Sequence, residues 1–417
     1  MTGRPRVALS ALLTAHTLSQ TGNAITVLAT PFYVLAQGGT GVEVGIAATF
    51  ATVPIVLGGP LGGALVDRIG HRLSSVIADA ASAVTLAAIA VLAGTGNLPF
   101  WGFLLLIFLS GLLDTPGNTA RHVLLPPLAT ANRIALERTV GFATGVERVA
   151  MLVGAPLGGV LVSVLGPPAA FATTAVAFVI AATLVLVCVP RPDRAGMARA
   201  DLAAVGVPRV SYWRDLVAGF RFVSAHPLLR LIVFVVFLIN LLDAARFSVL
   251  LPIHAAAHLQ GAVAVGLLTG ALGGGALVGS LVYGFFGQGW PRRPWFMVAL
   301  GVTGGPFSVA LAVQAPFSVL IALAAVIGLA AGIINPIIGV LQLQLAPRAM
   351  RARVYSLMVA GSWAGVPIGA LLAGIAAERI GLTASFIIIG VSYVIVSLAP
   401  LRGGAWTGMG PFPARPA

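Results

Sequence analysis

Four acidic residues stand inside otherwise apolar runs: Asp79, Asp114, Glu147 and Asp243. A carboxylate at the centre of a hydrocarbon layer costs about 2.5–3.5 kcal/mol on insertion scales, so such groups line a polar path or are paired. Arg148 follows Glu147, and Arg246 lies three residues after Asp243, a spacing that permits a pair on one helical face. Glu147, Arg148, Asp243, Arg246 and Asp79 are therefore proton-coupling candidates, in which Glu147 or Asp243 would bind a proton and exchange it against cargo, with the arginines as neighbouring charges. A neutralising structural pair is the alternative for each. All 24 basic residues are arginine. Without lysine there is no phosphate-binding loop of the G-x-x-x-x-G-K-[ST] type and no Schiff base. No H-E-x-x-H, G-x-S-x-G or paired-carboxylate arrangement occurs, so enzyme chemistry is not expected. His254 and His258 lie one turn apart, but a metal wants three or four ligands, and neither metal nor cofactor is expected.

Lipid is the solvent for the elements that position these residues. Of 417 residues, 59% are hydrophobic and 8% charged, with a mean hydropathy of +1.03; a soluble domain carries about 25% charge. Hydropathy predicts twelve spans, at 9–36, 43–66, 73–94, 98–120, 139–165, 168–189, 230–256, 262–287, 294–313, 316–342, 353–377 and 382–401. The first follows Arg4 and Arg6 and is too long for a signal peptide. One longer polar stretch divides the spans six and six. This gives an N-terminal bundle at 1–190, a cytoplasmic linker at 191–229, a C-terminal bundle at 230–402 and a disordered tail at 403–417. The fold class is all-α, a polytopic membrane protein of two six-helix bundles.

With the N-terminus inside, every arginine except Arg148, Arg246 and Arg379 falls in cytoplasmic tails and loops or at their helix ends. That bias places both termini in the cytoplasm and explains the net charge of +13 without nucleic acid. Cys188 is the single cysteine, so no intrachain disulfide forms. The halves echo one another: Asn23 before Pro31 and Asn240 before Pro252, Thr115-Pro116 at the end of helix 4 and Asn335-Pro336, Ala155-Pro156-Leu157-Gly158 and Val366-Pro367-Ile368-Gly369. Parallel repeats of this kind build a central site between rocking halves. Helix 1 carries a polar stripe of His16, Ser19, Gln20, Asn23, Thr26 and Thr30, and helix 10 one that includes Asn335 and Gln342. Aromatic residues Phe32, Phe50, Phe237, Phe247, Trp363 and Phe386 could wall a cavity.

The stretch Gly62-Gly63-Ala64-Leu65-Val66-Asp67-Arg68-Ile69-Gly70-His71-Arg72 resembles the loop signature of the major facilitator superfamily, G-x-x-x-D-R-x-G-x-R. Gly154-Ala155-Pro156-Leu157-Gly158-Gly159-Val160 is similar to that superfamily's antiporter signature, with Ala155 and Val160 replacing two glycines. The runs Arg121 to Leu136, Gly219-Phe220-Arg221-Phe222 before His226-Pro227, and Arg351-Ala352-Arg353-Val354 resemble the branch of macrolide-efflux and enterobactin-exporter-like proteins. The resemblance implies a proton-driven exporter of a drug, antibiotic or siderophore-like molecule in the bacterial inner membrane. It also implies a substrate cavity lined by helices 1, 4, 7 and 10. Its candidate lining residues are His16, Gln20, Asn23, Asn240, Asn335 and Gln342. Gly63, Asp67, Arg68, Gly70 and Arg72, with Asp114 and Arg121, would form a conformational latch, and Gly154, Pro156, Gly158 and Gly159 a hinge or packing point. The partners expected are a small-molecule substrate, protons and lipid around a monomer. An R-x-x-Q-G in helix 4 and an acid in helix 1 are both lacking. An uptake symporter or facilitator of the same fold remains an alternative, and a non-transporting membrane sensor another.

Overall fold

The computed structural model describes residues 4–134, 136–190, 220–287, 290–345 and 351–409. Its twelve long helices are α1 (Arg4–Ala36), α2 (Gly41–Ile69), α3 (His71–Gly94), α4 (Phe100–Ala131), α5 (Leu136–Leu165), α6 (Pro167–Cys188), α7 (Pro227–His258), α8 (Gly261–Phe286), α9 (Arg292–Ala312), α10 (Phe317–Leu345), α11 (Arg351–Trp363 and Gly365–Arg379) and α12 (Gly381–Leu398). No strand occurs among the described residues. Ten segments, all within α3–α12, are long and apolar enough to cross a membrane. α1 is longer than most, but its polar stripe keeps it out of that set. A helix this polar needs its neighbours to satisfy its side chains before it can sit in lipid.

Alternate loops define an Arg-poor end of the bundle (37–40, 95–99, 166, 259–260, 313–316, 380) and an Arg-rich end. The repeat seen in the sequence is a repeat of packing. Gly154 and Gly158 of α5 sit against Thr21, Ala24 and Ile25 of α1, as Gly365 and Gly369 of α11 sit against Phe237 and Leu241 of α7. Between the halves, α5 meets α8 and α11 meets α2. A Cβ at Gly159 would lie 2.5 Å from the Ala262 carbonyl oxygen, and one at Gly45 would lie 2.8 Å from that of Ala370. Small residues thus let backbones touch and seal the halves together. Thr49 Oγ1 donates to Pro367 O at 3.0 Å, and the Val42 amide donates to Glu378 Oε1 at 2.8 Å. The α5–α8 contacts run from Gly159 to Leu152, about 10 Å along the helix. These approaches lie in the half of the bundle nearer the Arg-poor end.

Three expectations are corrected. Helix 4 does not end at 120: it continues through Pro126 and Pro127 to Ala131, so Thr115-Pro116 lies mid-helix. Arg121 is therefore about 15 Å, and Asp114 about 25 Å, inside the helix end. Hydropathy falls at Asn118–His122 because Asn118, Arg121 and His122 are polar, yet the helix runs on through them. The tail from Gly403 is ordered as far as Met409, as a 3₁₀ turn (Gly404–Met409) with Trp406 and Met409 buried. Trp406 packs on Phe296 of α9, and Arg293 donates to the Pro400 carbonyl at 3.0 Å through Nε, which gives the apolar turn a place to bury. Residues 191–219 of the expected linker lie outside the described residues; 220–225 are helical and lead into α7 at Pro227, three residues before the expected start.

Candidate transport site

Gly117 of α4 lies against Ala78 of α3, where a Cβ would stand 2.7 Å from the alanine side chain. This close approach brings Arg121 of α4 onto Asp79 of α3, with Nη1 2.7 Å from Oδ1 and both side chains fully buried. Arg121 Nη2 lies 3.6 Å from Asp114 Oδ1. α1 completes the cluster: Ser19 Oγ donates to Asp79 Oδ1 at 3.1 Å, and Asn23 Nδ2 donates to Asp114 Oδ2 at 2.8 Å. Two carboxylates share one guanidinium, so the cluster carries an excess negative charge when both are ionised. Asp79 Oδ2 and Asp114 Oδ1 are buried without a hydrogen-bond partner. A single proton would neutralise the group.

One turn nearer the Arg-rich end, His16 of α1, His122 of α4 and Glu147 of α5 come together. His122 Nε2 is 3.4 Å from Glu147 Oε1, and the two imidazoles meet edge to face with centroids 5.3 Å apart. His122 was not among the residues singled out; an ordinary-looking histidine next to Arg121 carried no signal until α1 and α5 were placed beside it.

In the second half the buried cation is Arg246 of α7. Its Nη2 lies 2.7 Å from Asp243 Oδ1, so the i,i+3 pair forms. Nη1 reaches the carbonyls of Thr303 and Gly304 in α9 at 3.2 and 3.1 Å and Ser308 Oγ at 3.4 Å. Phe247, Phe307 and Tyr393 present ring faces to the guanidinium at 4.5, 5.6 and 5.1 Å. Phe247 thus covers a charge, where the sequence suggested a cavity wall. Tyr393 of α12 donates to Asp243 Oδ1 at 2.5 Å. Its ring occupies the space a Cβ at Gly304 would need. The backbone of α7 forms a π turn over Ala245–Leu250, a local widening common where a helix carries function.

The remaining expected residues scatter. Gln20 and Asn23 are half-buried on α1; Asn240 donates to Ser362 O at 2.9 Å; Asn335 is exposed; and the side chain of Gln342 lies outside the described residues, as do those of Gly63, Asp67 and Arg68. Arg148 is half-buried beside Glu147. Gly70 joins α2 to α3 as a one-residue link at φ +91°, a conformation that favours glycine. Among the described residues the hydrogen bonds of Arg72 stay within the first half. It donates to Val189 O at 2.6 Å and to Leu186 O, satisfying carbonyls at the end of α6. Asp114 and Arg121, expected with that latch, form one cluster with Asp79, expected separately. Pro156 lies in the seal, against Gly266 and Gly270 of α8, with Gly159 on the same face and Gly154 and Gly158 on the α1 face.

Two pseudo-symmetric bundles with buried ionic groups and a seal at one end describe a polytopic carrier for small molecules. The Major Facilitator Superfamily model matches residues 12–256 and 232–403, and the chain belongs to that family. It is a membrane transporter, not an enzyme. The multidrug efflux pump Tap of Mycolicibacterium fortuitum is 30% identical over 407 residues, covering 95% of this chain and 96% of that one. Macrolide efflux protein A of Streptococcus pyogenes is 22% identical over 384 residues, covering 90% and 91%. Among solved structures, the nucleoside transporter NupG superposes with a TM-score of 0.72 at 15% identity, covering 98% of this chain and 99% of that one. The D-xylose-proton symporter superposes at 0.68 with 19% identity, covering 94% and 95%. These two show the fold alone.

Proposed function

We propose that the protein exports amphipathic small molecules, drugs or antibiotics among them, by proton antiport, with its termini and Arg-rich end in the cytoplasm of a bacterial inner membrane. The observation that carries the export reading is the similarity to a multidrug efflux pump over nearly the full length of both chains. The arginine bias orients the chain. The seal at the Arg-poor end then corresponds to a state closed to the outside, and rocking of the halves would alternate access.

For the proton, the charge count favours the first half. Asp79 and Asp114 share one arginine, whereas Asp243 is balanced by Arg246. An uncompensated charge in a low-dielectric interior is unfavourable, so the Asp79–Arg121–Asp114 cluster gains by taking a proton and the Asp243 pair does not. Asp114 is the member bonded to Asn23 on the stripe of α1, so its protonation would change the surface offered to cargo. At 100 mV each proton moved inward supplies about 2.3 kcal/mol.

In proteoliposomes an imposed pH gradient, acidic on the side equivalent to the cell exterior, should drive cargo outward; accumulation in the direction of proton flow would establish a symporter instead. Asp79→Asn and Asp114→Asn should leave counterflow exchange intact and abolish gradient-driven flux. Susceptibility profiling of cells with and without the protein would identify cargo.

A further inference from the structure

We propose that His16, His122 and Glu147 bind one divalent transition-metal ion of the zinc class. One donor atom from each, contributed by α1, α4 and α5, lies within 4.8 Å of the other two. The His122 Nε2–Glu147 Oε1 separation of 3.4 Å is the edge of a tetrahedron whose bonds are about 2.1 Å, the length zinc makes to imidazole and carboxylate.

Hydrogen bonding sets the tautomer. His122 Nδ1 lies 3.0 Å from the Asn118 carbonyl oxygen. A carbonyl only accepts, so Nδ1 carries a proton, and Nε2 is the nitrogen that faces Glu147. This is the outer-shell arrangement that orients metal-binding histidines. A lone pair facing a carboxylate needs a cation between them, either a proton or a metal ion. His16 decides between the two. It is fully buried, and neither ring nitrogen has a hydrogen-bond partner. A proton shared by His122 and Glu147 leaves both His16 nitrogens unmet in the interior; a metal takes one of them as its third ligand.

The His122 and Glu147 side chains are each 43% exposed, so an ion has a way in and a fourth position open to water. Two imidazoles and one carboxylate suit Zn(II), Co(II) or Ni(II) over Mg(II) or Ca(II). Arg121 and Arg148 stand nearby and oppose a cation, but the excess charge of Asp79 and Asp114 offsets Arg121. All three ligands belong to the first half, so the ion would clamp α1, α4 and α5 without bridging the halves. The site is independent of the export reading, because binding is measured without transport.

The test uses full-length protein in detergent, purified on a tag without histidine and stripped with EDTA. Co(II) titration followed by visible absorption should saturate at one ion per chain with the intense bands of a four- or five-coordinate site, and Zn(II) should displace it. His16→Gln and Glu147→Gln, shown monodisperse by size exclusion, should weaken binding 10- to 100-fold, while His254→Ala/His258→Ala should bind as the unaltered protein does. Failure of the unaltered protein to bind Co(II) stoichiometrically overturns the proposal whatever the variants do. So does binding unchanged in both glutamine variants, or binding lost only with His254 and His258.

Discussion

Among the described residues each half of the molecule buries one fully enclosed arginine, and the two are solvated in opposite ways. Arg121 faces two carboxylates, which also accept hydrogen bonds from a serine and an asparagine of α1. Arg246 faces one carboxylate, three aromatic rings, two backbone carbonyls and a serine. The second environment is neutral and nearly complete, the arrangement expected of a charge whose task is to hold helices together. The first has surplus acid and unpartnered oxygens, the arrangement expected of a group that changes protonation state. Duplicated bundles therefore need not share chemistry: the backbone scaffold repeats while the charge balance diverges.

The largest effect should come from Arg246→Leu. Removing the fully buried Arg246 unpairs Asp243, whose side chain is 34% exposed, at a cost below the about 3–5 kcal/mol of a fully buried pair, and the rings of Phe247, Phe307 and Tyr393 and the carbonyls of Thr303 and Gly304 lose the charge they cover. Thermal unfolding in detergent should register this as a large fall in midpoint or as loss of monodisperse protein. A mild effect would mean that the second cluster is not structural.

Arg121→Leu should also destabilise strongly at neutral pH, with recovery on acidification. Two carboxylates then lie buried without a cation, and protonation removes the charge that burial penalises. The folded state binds the additional protons, so stability rises as pH falls. Unfolding midpoints across pH would reveal it, and a flat profile would undo the contrast between the halves.

Gly304→Ala should cost about 1–3 kcal/mol, because its Cβ needs the space of the Tyr393 ring and a well-packed contact must open. Asn23→Ala is the finest probe. It removes one hydrogen bond to a carboxylate, worth about 1.5–3 kcal/mol where buried and less here, at a half-exposed site. Stability should move little while gradient-driven flux changes; equal losses in both would make Asn23 simple helix glue.

Much of the architecture could be read from residue order. The positions of the spans, the division into halves, the Gly-Pro echoes and the Asp243–Arg246 spacing all depend on local periodicity and composition, which lipid enforces along each helix separately. Even the misplacement of the end of α4 is instructive. A hydropathy window averages Asn118, Arg121 and His122 as if each faced its surroundings alone. In the folded chain the charge of Arg121 is met by Asp79 and Asp114, and α4 continues past it as helix to Ala131.

Which polar groups meet was decided only by the tertiary structure. Asp79 and Arg121, or His16, His122 and Glu147, are far apart in the chain and on different helices, and helix rotation fixes whether they touch. That rotation follows from glycine contacts such as Gly117 on Ala78 and Gly158 on Ile25. The sequence by itself determined that this chain crosses a membrane in paired bundles with a few interior charges. Packing between helices determined which charges are balanced, because interaction energies depend on distances of a few ångströms that no single helix specifies.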